Sequence, residues 1–204
     1  MKRIALLHTV KSVADSFEGR LRAAIPQEEL LIHNLLDDFL ASDANARGVF
    51  TPENHNRLLL DLKACELTGA ALIAVPVVAI DDAMSRRAVT LGAKLTVMAT
   101  AQSTVGPTCD KLRRDAAQAG RTPELSVVVC TAAMDALRRG DLPAHDRLLK
   151  EAALATHPGL LVVVVVLAQA SMAHLEREIS GICGCATLSS PALCIEEIKT
   201  RLSL

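Results

Sequence analysis

The chain has 204 residues, half of them apolar and 22% charged, with a formal net charge of −1. That length buries a real core in one large or two small domains, and the composition is that of a globular chain rather than a disordered one. The near-neutral charge gives nucleic acid or an anionic membrane no electrostatic footing, and with no Trp, no Tyr and three Phe there are no platforms for stacking bases.

The N-terminus, MKRIALLHTV, opens like a signal peptide, with two basic residues before an apolar run. The run stops at His8 and no small-residue cleavage site follows, so Arg3–His8 is expected to be a first buried strand. Val13–Ala24 follows a 3.6-residue period and predicts a helix, and Leu30–Asn34 predicts a second strand. Leu36–Ser42 and Glu53–Thr68 are expected helices, the latter with Thr51 as N-cap and Pro52 at its first position. Gly69–Asp82 reads GAALIAVPVVAIDD, two strand-like runs separated only by Pro76. Neighbouring parallel strands need a crossover of about a dozen residues. Either this is one strand interrupted by Pro76, at an edge or a bulge, or its first run ends the preceding helix. In both cases the loop and helix of a complete parallel unit are missing.

The second half repeats the alternation. Lys94–Ala99 is an expected strand, followed by a helix over Thr108–Ala119 that the Gly106-Pro107 turn opens and Gly120 closes. Leu125–Cys130 is a strand, Ala132–Arg139 and Leu142–His157 are helices, and Leu160–Leu167, apolar on both faces, belongs in the middle of a sheet. Leu175–Ile182, a short strand Ala186–Leu188 and a closing helix Ala192–Leu202 complete the chain. Strands alternating with helices predict an α/β protein with parallel sheets in two similar lobes. The first lobe spans residues 1–84 and is completed by the C-terminal helix at 192–204; the second spans 85–191.

Leu160–Ala168 is about half as long as a membrane-spanning helix, so no membrane association is expected. Cys65, Cys109 and Cys194 lie in helix-like segments and Cys130 ends a strand. Without an export signal they read as free thiols in a reducing, cytoplasmic setting. Cys183-Gly-Cys185 has a one-residue spacer where zinc pairs have two to four, and no metal is expected.

Candidate site residues come from strand ends, where open parallel sheets place ligands. His8 and Thr9 end the first strand, as anion contacts, a general base, or simply a hydrogen-bonded strand end. Thr100, Gln102, Ser103 and Thr104 form a polar turn before the helix at Thr108, suited to a carboxylate or to ordinary capping. Gln169 and Ser171 follow the most buried strand, and Ser189 and Ser190 follow the last, with Ser190 also a helix cap. Asp81 and Asp82, after the VVAI run, cap a helix expected from Ala83 or supply a base, with capping favoured. Cys109, at an expected helix start, is the thiol whose pKa a helix dipole would lower, a stand-in catalytic thiol on that reading and a plain core residue on the favoured one. No GxSxG elbow supports a serine hydrolase.

IALLHT at the start, IDDAM at 80–84, VMATAQSTVGPT at 97–108, GDLPAHDRLL at 140–149, VVLAQASMA at 165–173 and TLSSPALCIEEIK at 187–199 together resemble the aspartate/glutamate/hydantoin racemase superfamily, in its branch with AQASM in the second lobe. The resemblance covers nearly the whole chain. It implies a pseudo-twofold pair of lobes with a small carboxylate or amino acid between them, no cofactor, and a homodimer or higher homo-oligomer. It also implies one thiol from each lobe, on opposite faces of the substrate Cα. Here the first-lobe cysteine turn is missing with the crossover, and Gln169 occupies the second-lobe cysteine position. The expectation is therefore a racemase/isomerase-type protein that acts on or binds an aspartate-, glutamate- or hydantoin-like carboxylate, two-thiol racemisation being in doubt. The alternative is a catalytically silent carboxylate-binding or oligomeric scaffold relative.

Overall fold

The computed structural model describes residues 1–9, 11–75, 80–156 and 163–204. The chain divides into two compact units, Met1–Asp81 with Pro191–Leu204, and Asp82–Ser190.

The first unit is built from β1 (Lys2–His8), α1 (Lys11–Ala24), β2 (Leu30–Leu36), α2 (Asp38–Arg47), α3 (Pro52–Leu67) and β3 (Leu72–Ala74). Its strands are parallel in the order β2-β1-β3. Successive strand side chains point to opposite faces, and β1 is covered on both. Ile4 and Leu6 share a core with Phe17 and Leu21 of α1 and with Ile195 and Ile198 of α9 (Ser190–Leu202). Ala5 and Leu7 share another with Leu58, Leu62 and Cys65 of α3. Thr51 caps α3 as expected, its hydroxyl accepting the Asn54 N–H at 3.2 Å. The chain leaves α3 through Gly69, whose φ of 69° is open to glycine at little cost. The Arg3 guanidinium closes this turn by donating to the Thr68 carbonyl at 2.7 Å.

The second unit contains α4 (Ile80–Leu91, from Asp82 onward), β4 (Lys94–Ala99), α5 (Gln102–Gln118), β5 (Glu124–Val129), α6 (Thr131–Arg138) and α7 (Leu142–Thr156). β6 (Val163–Leu167), a 3₁₀ segment (Ala170–Leu175), α8 (Glu176–Cys183) and β7 (Thr187–Ser189) follow. The sheet is parallel, in the order β5-β4-β6-β7. β6, from Val164 to Leu167, is buried between two neighbours, the central position its two apolar faces predict.

Element order shows what the first unit lacks. Both units run strand, helix, strand, two helices, strand. The second then inserts the 3₁₀ segment, α8 and β7 before α9, whereas in the first only residues 75–79 separate β3 from α4, fewer than a crossover needs. The first lobe is thus short of one crossover. Residues 76–79, which hold most of the VVAI run, lie outside the described residues; so do His157 and residues 160–162 of two other expected elements.

Several expected boundaries move. Leu36 ends β2, paired opposite His8, and α2 starts only at Asp38, because the ladder to β1 outlasts the local helical pattern. The run ALIAV does not end the preceding helix: Thr68 and Gly69 terminate α3, and residues 72–74 pair with β1. α4 starts at Ile80, so Asp81 and Asp82 lie in its first turn rather than capping a helix from Ala83. α5 starts at Gln102 and runs through Pro107. Proline removes one helical hydrogen bond, but Val105, Cys109, Leu112 and Ala116 form a single buried face that carries the helix past it. The closing helix starts at Ser190 rather than Ala192.

Candidate functional site

Strand order reverses between β1 and β3 in the first sheet and between β4 and β6 in the second. The crevice beyond the carboxyl ends of the strands at such a point is where open α/β sheets hold ligands. The two reversal points differ in chemistry.

In the first unit, β1 delivers His8 and Thr9, 1% and 5% exposed. His8 Nε2 faces Asn34 Oδ1 at 3.3 Å, which makes that nitrogen the donor. Nδ1 is then a bare acceptor, buried and without a hydrogen-bond partner among the described residues. Desolvation pushes the His8 pKa below 6.5, against the opposing pull of Asn34, Glu18 and Asp15. The ring is therefore neutral at pH 7, with an open lone pair and the edge-on ring of Phe17 at 6.3 Å. A neutral imidazole of this kind accepts a hydrogen bond from an ammonium group or takes a proton.

The backbone beside it leads into a carboxylate pair. The Asp37 N–H donates to the His8 carbonyl at 2.8 Å, and the Asp37 carboxylate accepts from Arg57 Nε of α3. Burial works to raise the Asp37 pKa, but hydrogen bonds from Arg57 and Asp61 bring it below its ordinary value. Asp61, desolvated and facing Asp37, is pushed up to about 6. The two carboxyls share their environment unequally, a proton resting on Asp61 first. Sequence reading missed Asp37, Arg57 and Asp61; the only signal was that Asp37 follows the true end of β2. Asp81 lies in the first turn of α4.

In the second unit the strand ends are saturated by the protein's own oxygens. Thr100, at the end of β4, donates its backbone N–H at 2.7 Å and its hydroxyl at 2.6 Å to Gln169 Oε1. Gln169 sits just past β6, so its side chain spans the reversal point. Ser189, at the end of β7, donates its N–H at 3.0 Å and its hydroxyl to the Glu176 carboxylate of α8. Both donor pairs are of the kind that would hold a substrate carboxylate, and each already holds an internal acceptor.

The remaining expected residues are dispersed. Gln102 and Ser103 are exposed and Thr104 half-buried in the first turn of α5, not in a turn before it. Ser171 is half-buried in the 3₁₀ segment. Ser190 is buried, and its hydroxyl lies 3.5 Å from Met84 Sδ. Asp82 forms an ion pair with Lys111. Cys109 takes its core-packing reading, and its expected place at a helix start is corrected: it lies two turns inside α5, 4% exposed, where no dipole favours its thiolate and burial pushes the thiol pKa up. Burial likewise raises Cys65, Cys183 and Cys185, so none of these four is an activated nucleophile.

A second cluster was not foreseen from sequence, because His174 stands 28 residues beyond its partner Asp146. His145 Nδ1 and His174 Nε2 each lie 2.8 Å from Asp146 Oδ1. Burial works to raise the Asp146 pKa, but the two histidines bring it below the ordinary carboxylate value.

No protein-family model and no curated protein sequence matches the chain. Solved structures do. Allantoin racemase from Pseudomonas fluorescens is 16% identical, with a TM-score of 0.55, over 99% of this chain and 92% of that one. A glutamate racemase from Bacillus anthracis is 15% identical, with a TM-score of 0.61, over 99% and 82%. Glutamate racemase from Thermus thermophilus, in complex with β-chloro-D-alanine, is 16% identical, with a TM-score of 0.63, over 99% and 80%. At these identities the likeness is one of fold: the chain has the racemase-like α/β architecture, with parallel sheets of three and four strands among the described residues.

Proposed function

We propose that this protein is a cofactor-independent member of the racemase/isomerase superfamily that binds a small amino acid or related carboxylate, and that two-thiol racemisation is not its chemistry. The carrying observation is Gln169. Its side-chain carbonyl is held by both donors of Thr100, at the place where the family resemblance puts the second-lobe thiol. An amide there neither takes nor returns a proton, and losing one positioned acid or base removes about two to four orders of magnitude in rate. The contacts proposed for the ligand are His8 and Thr9, where a bare imidazole nitrogen suits the ammonium or an acidic proton of an amino acid. Aspartate-, glutamate- and hydantoin-like acids are the ligand classes to test.

The test pairs two measurements on the wild-type protein with L- and D-aspartate, L- and D-glutamate and hydantoin-type acids. Thermal stabilisation by at least one of them is expected, since a ligand bound only to the native state raises its stability. No inversion at Cα above a protein-free blank is expected when the acids are followed by NMR in heavy water. Inversion lost in Cys109→Ala or Gln169→Ala would overturn the assignment and restore an enzyme of the racemase type. Absence of both inversion and stabilisation would remove the ligand-binding function.

A homo-oligomeric scaffold is the second reading, and a specific feature favours it. Leu59, Leu60 and Leu67 of α3 are 63%, 71% and 80% exposed. Apolar surface of this kind commonly marks an interface. Sedimentation of Leu60→Glu against the wild type separates the two: a smaller species is expected from the variant if α3 is the contact.

A further inference from the structure

Outside the strand ends, the described residues bring one group of metal-ligating side chains together: His145 and Asp146 near the start of α7, and His174 near the end of the 3₁₀ segment. One ligand atom from each lies within 4.8 Å of the other two. The three grade from core to solvent. His145 is fully buried, Asp146 intermediate and His174 37% exposed on its side chain. The two imidazole rings stack with centroids 6.2 Å apart and planes 23° from parallel, so both nitrogens converge on the same carboxylate oxygen.

We propose that His145, Asp146 and His174 form a binding site for a divalent transition-metal ion of the zinc type, which clips α7 to the 3₁₀ segment. Two imidazoles and one carboxylate are a borderline donor set that suits zinc, with a fourth position left for water on the His174 side. Asp146 Oδ1 accepts a hydrogen bond from His145 Nδ1–H and another from His174 Nε2–H, each at 2.8 Å. Around a tetrahedral ion with bonds of about 2.0–2.1 Å, ligand atoms stand about 3.3 Å apart. Each contact therefore opens by roughly half an ångström, well inside the present 4.8 Å envelope. At His145 the tautomer change this requires creates no new unpaired group. His145 Nε2 is buried without a partner among the described residues already, whether or not it carries the proton. The consequence is mechanical: the 3₁₀ segment begins just after Gln169 and carries Ser171, so an ion at its far end fixes the stretch that follows β6.

Cys183 and Cys185 are the competing donors, and the test must separate them. Full-length protein stripped with chelator and dialysed is titrated with zinc alone by calorimetry, and with cobalt(II) for its visible spectrum. Stoichiometric zinc binding is expected, together with a rise in melting temperature and a cobalt spectrum free of thiolate charge-transfer bands. His174→Ala, at a side chain 37% exposed, is expected to weaken zinc at least tenfold and to abolish the thermal shift. Asp146→Asn is expected to weaken it as well, and the double variant Cys183→Ser/Cys185→Ser to leave it unchanged. Absence of zinc binding to the wild type, binding that survives His174→Ala, or binding lost with the two cysteines would each overturn the site.

Discussion

The two strand-order reversal points are built alike in backbone and differ in what their polar groups meet. Beyond β1 in the first unit, the His8 Nδ1 lone pair has no partner among the described residues. Beyond β4 and β7 in the second, Thr100 and Ser189 hand both of their donors to Gln169 and Glu176. An unpaired buried polar atom carries a standing penalty of about 1–3 kcal/mol, and natural chains keep such atoms mainly where something else binds them. The contrast teaches that two lobes can keep the same strand-end geometry while one of them turns its donors inward.

The largest effect expected from breaking this contrast is at Glu176. Its carboxylate serves two donors of a residue that is 2% exposed, and charged hydrogen bonds contribute about 1.5–3 kcal/mol each. Glu176→Ala should lower stability by roughly 3 kcal/mol in urea titration, and Glu176→Gln, which keeps an acceptor, by about 1 kcal/mol. Gln169→Ala comes next, with a loss of about 2 kcal/mol and a gain of function: the freed Thr100 donors should bind malonate better than the wild type does, read as a larger thermal shift. If the alanine variant binds malonate no better, Gln169 is not blocking an anion site.

Two smaller effects concern pH in the first unit. The His8 pKa is lowered on folding, so between its folded and unfolded values the unfolded chain binds more protons. Stability from this group is complete above about 6.5 and lost as pH falls through the folded value. The urea midpoint of His8→Gln should therefore depend less on pH below 6.5 than that of the wild type. Asp61 has the opposite sign. Its pKa is raised from 3.8 to about 6, so its relative stabilisation is present at the acid end and disappears as pH rises through about 6. Asp61→Asn should remove that dependence and be slightly more stable than the wild type, relative to their difference at pH 4, when both are measured at pH 7–8.

Much of the fold was legible because strand and helix periods differ. The alternation of short apolar runs with 3.6-period segments fixed the parallel architecture, and the absence of a crossover between ALIAV and α4 identified the shorter first sheet. What local pattern could not weigh was tertiary support. Pro107 reads as a helix breaker until the buried face Val105, Cys109, Leu112 and Ala116 outweighs it, and with the helix start moved to Gln102 the case for Cys109 as an activated thiol disappears. Thr100, Gln169 and Ser189 were legible as strand-end groups, but their being turned toward one another or toward Glu176 depends on long-range pairing. Asp37 meets Arg57 and Asp61 of α3, and His174 meets the His145–Asp146 pair of α7, only through folding, and nothing in the local pattern announces either meeting.

The most direct test of the difference between the units is an NMR titration of isotope-labelled wild-type protein with the acid that stabilises it most. The account predicts that the His8 imidazole Nδ1 resonance moves with saturation while the Thr100 amide stays in place, held by Gln169. A Thr100 amide that titrates while His8 stays unchanged would contradict it, and would return the ligand to the second unit.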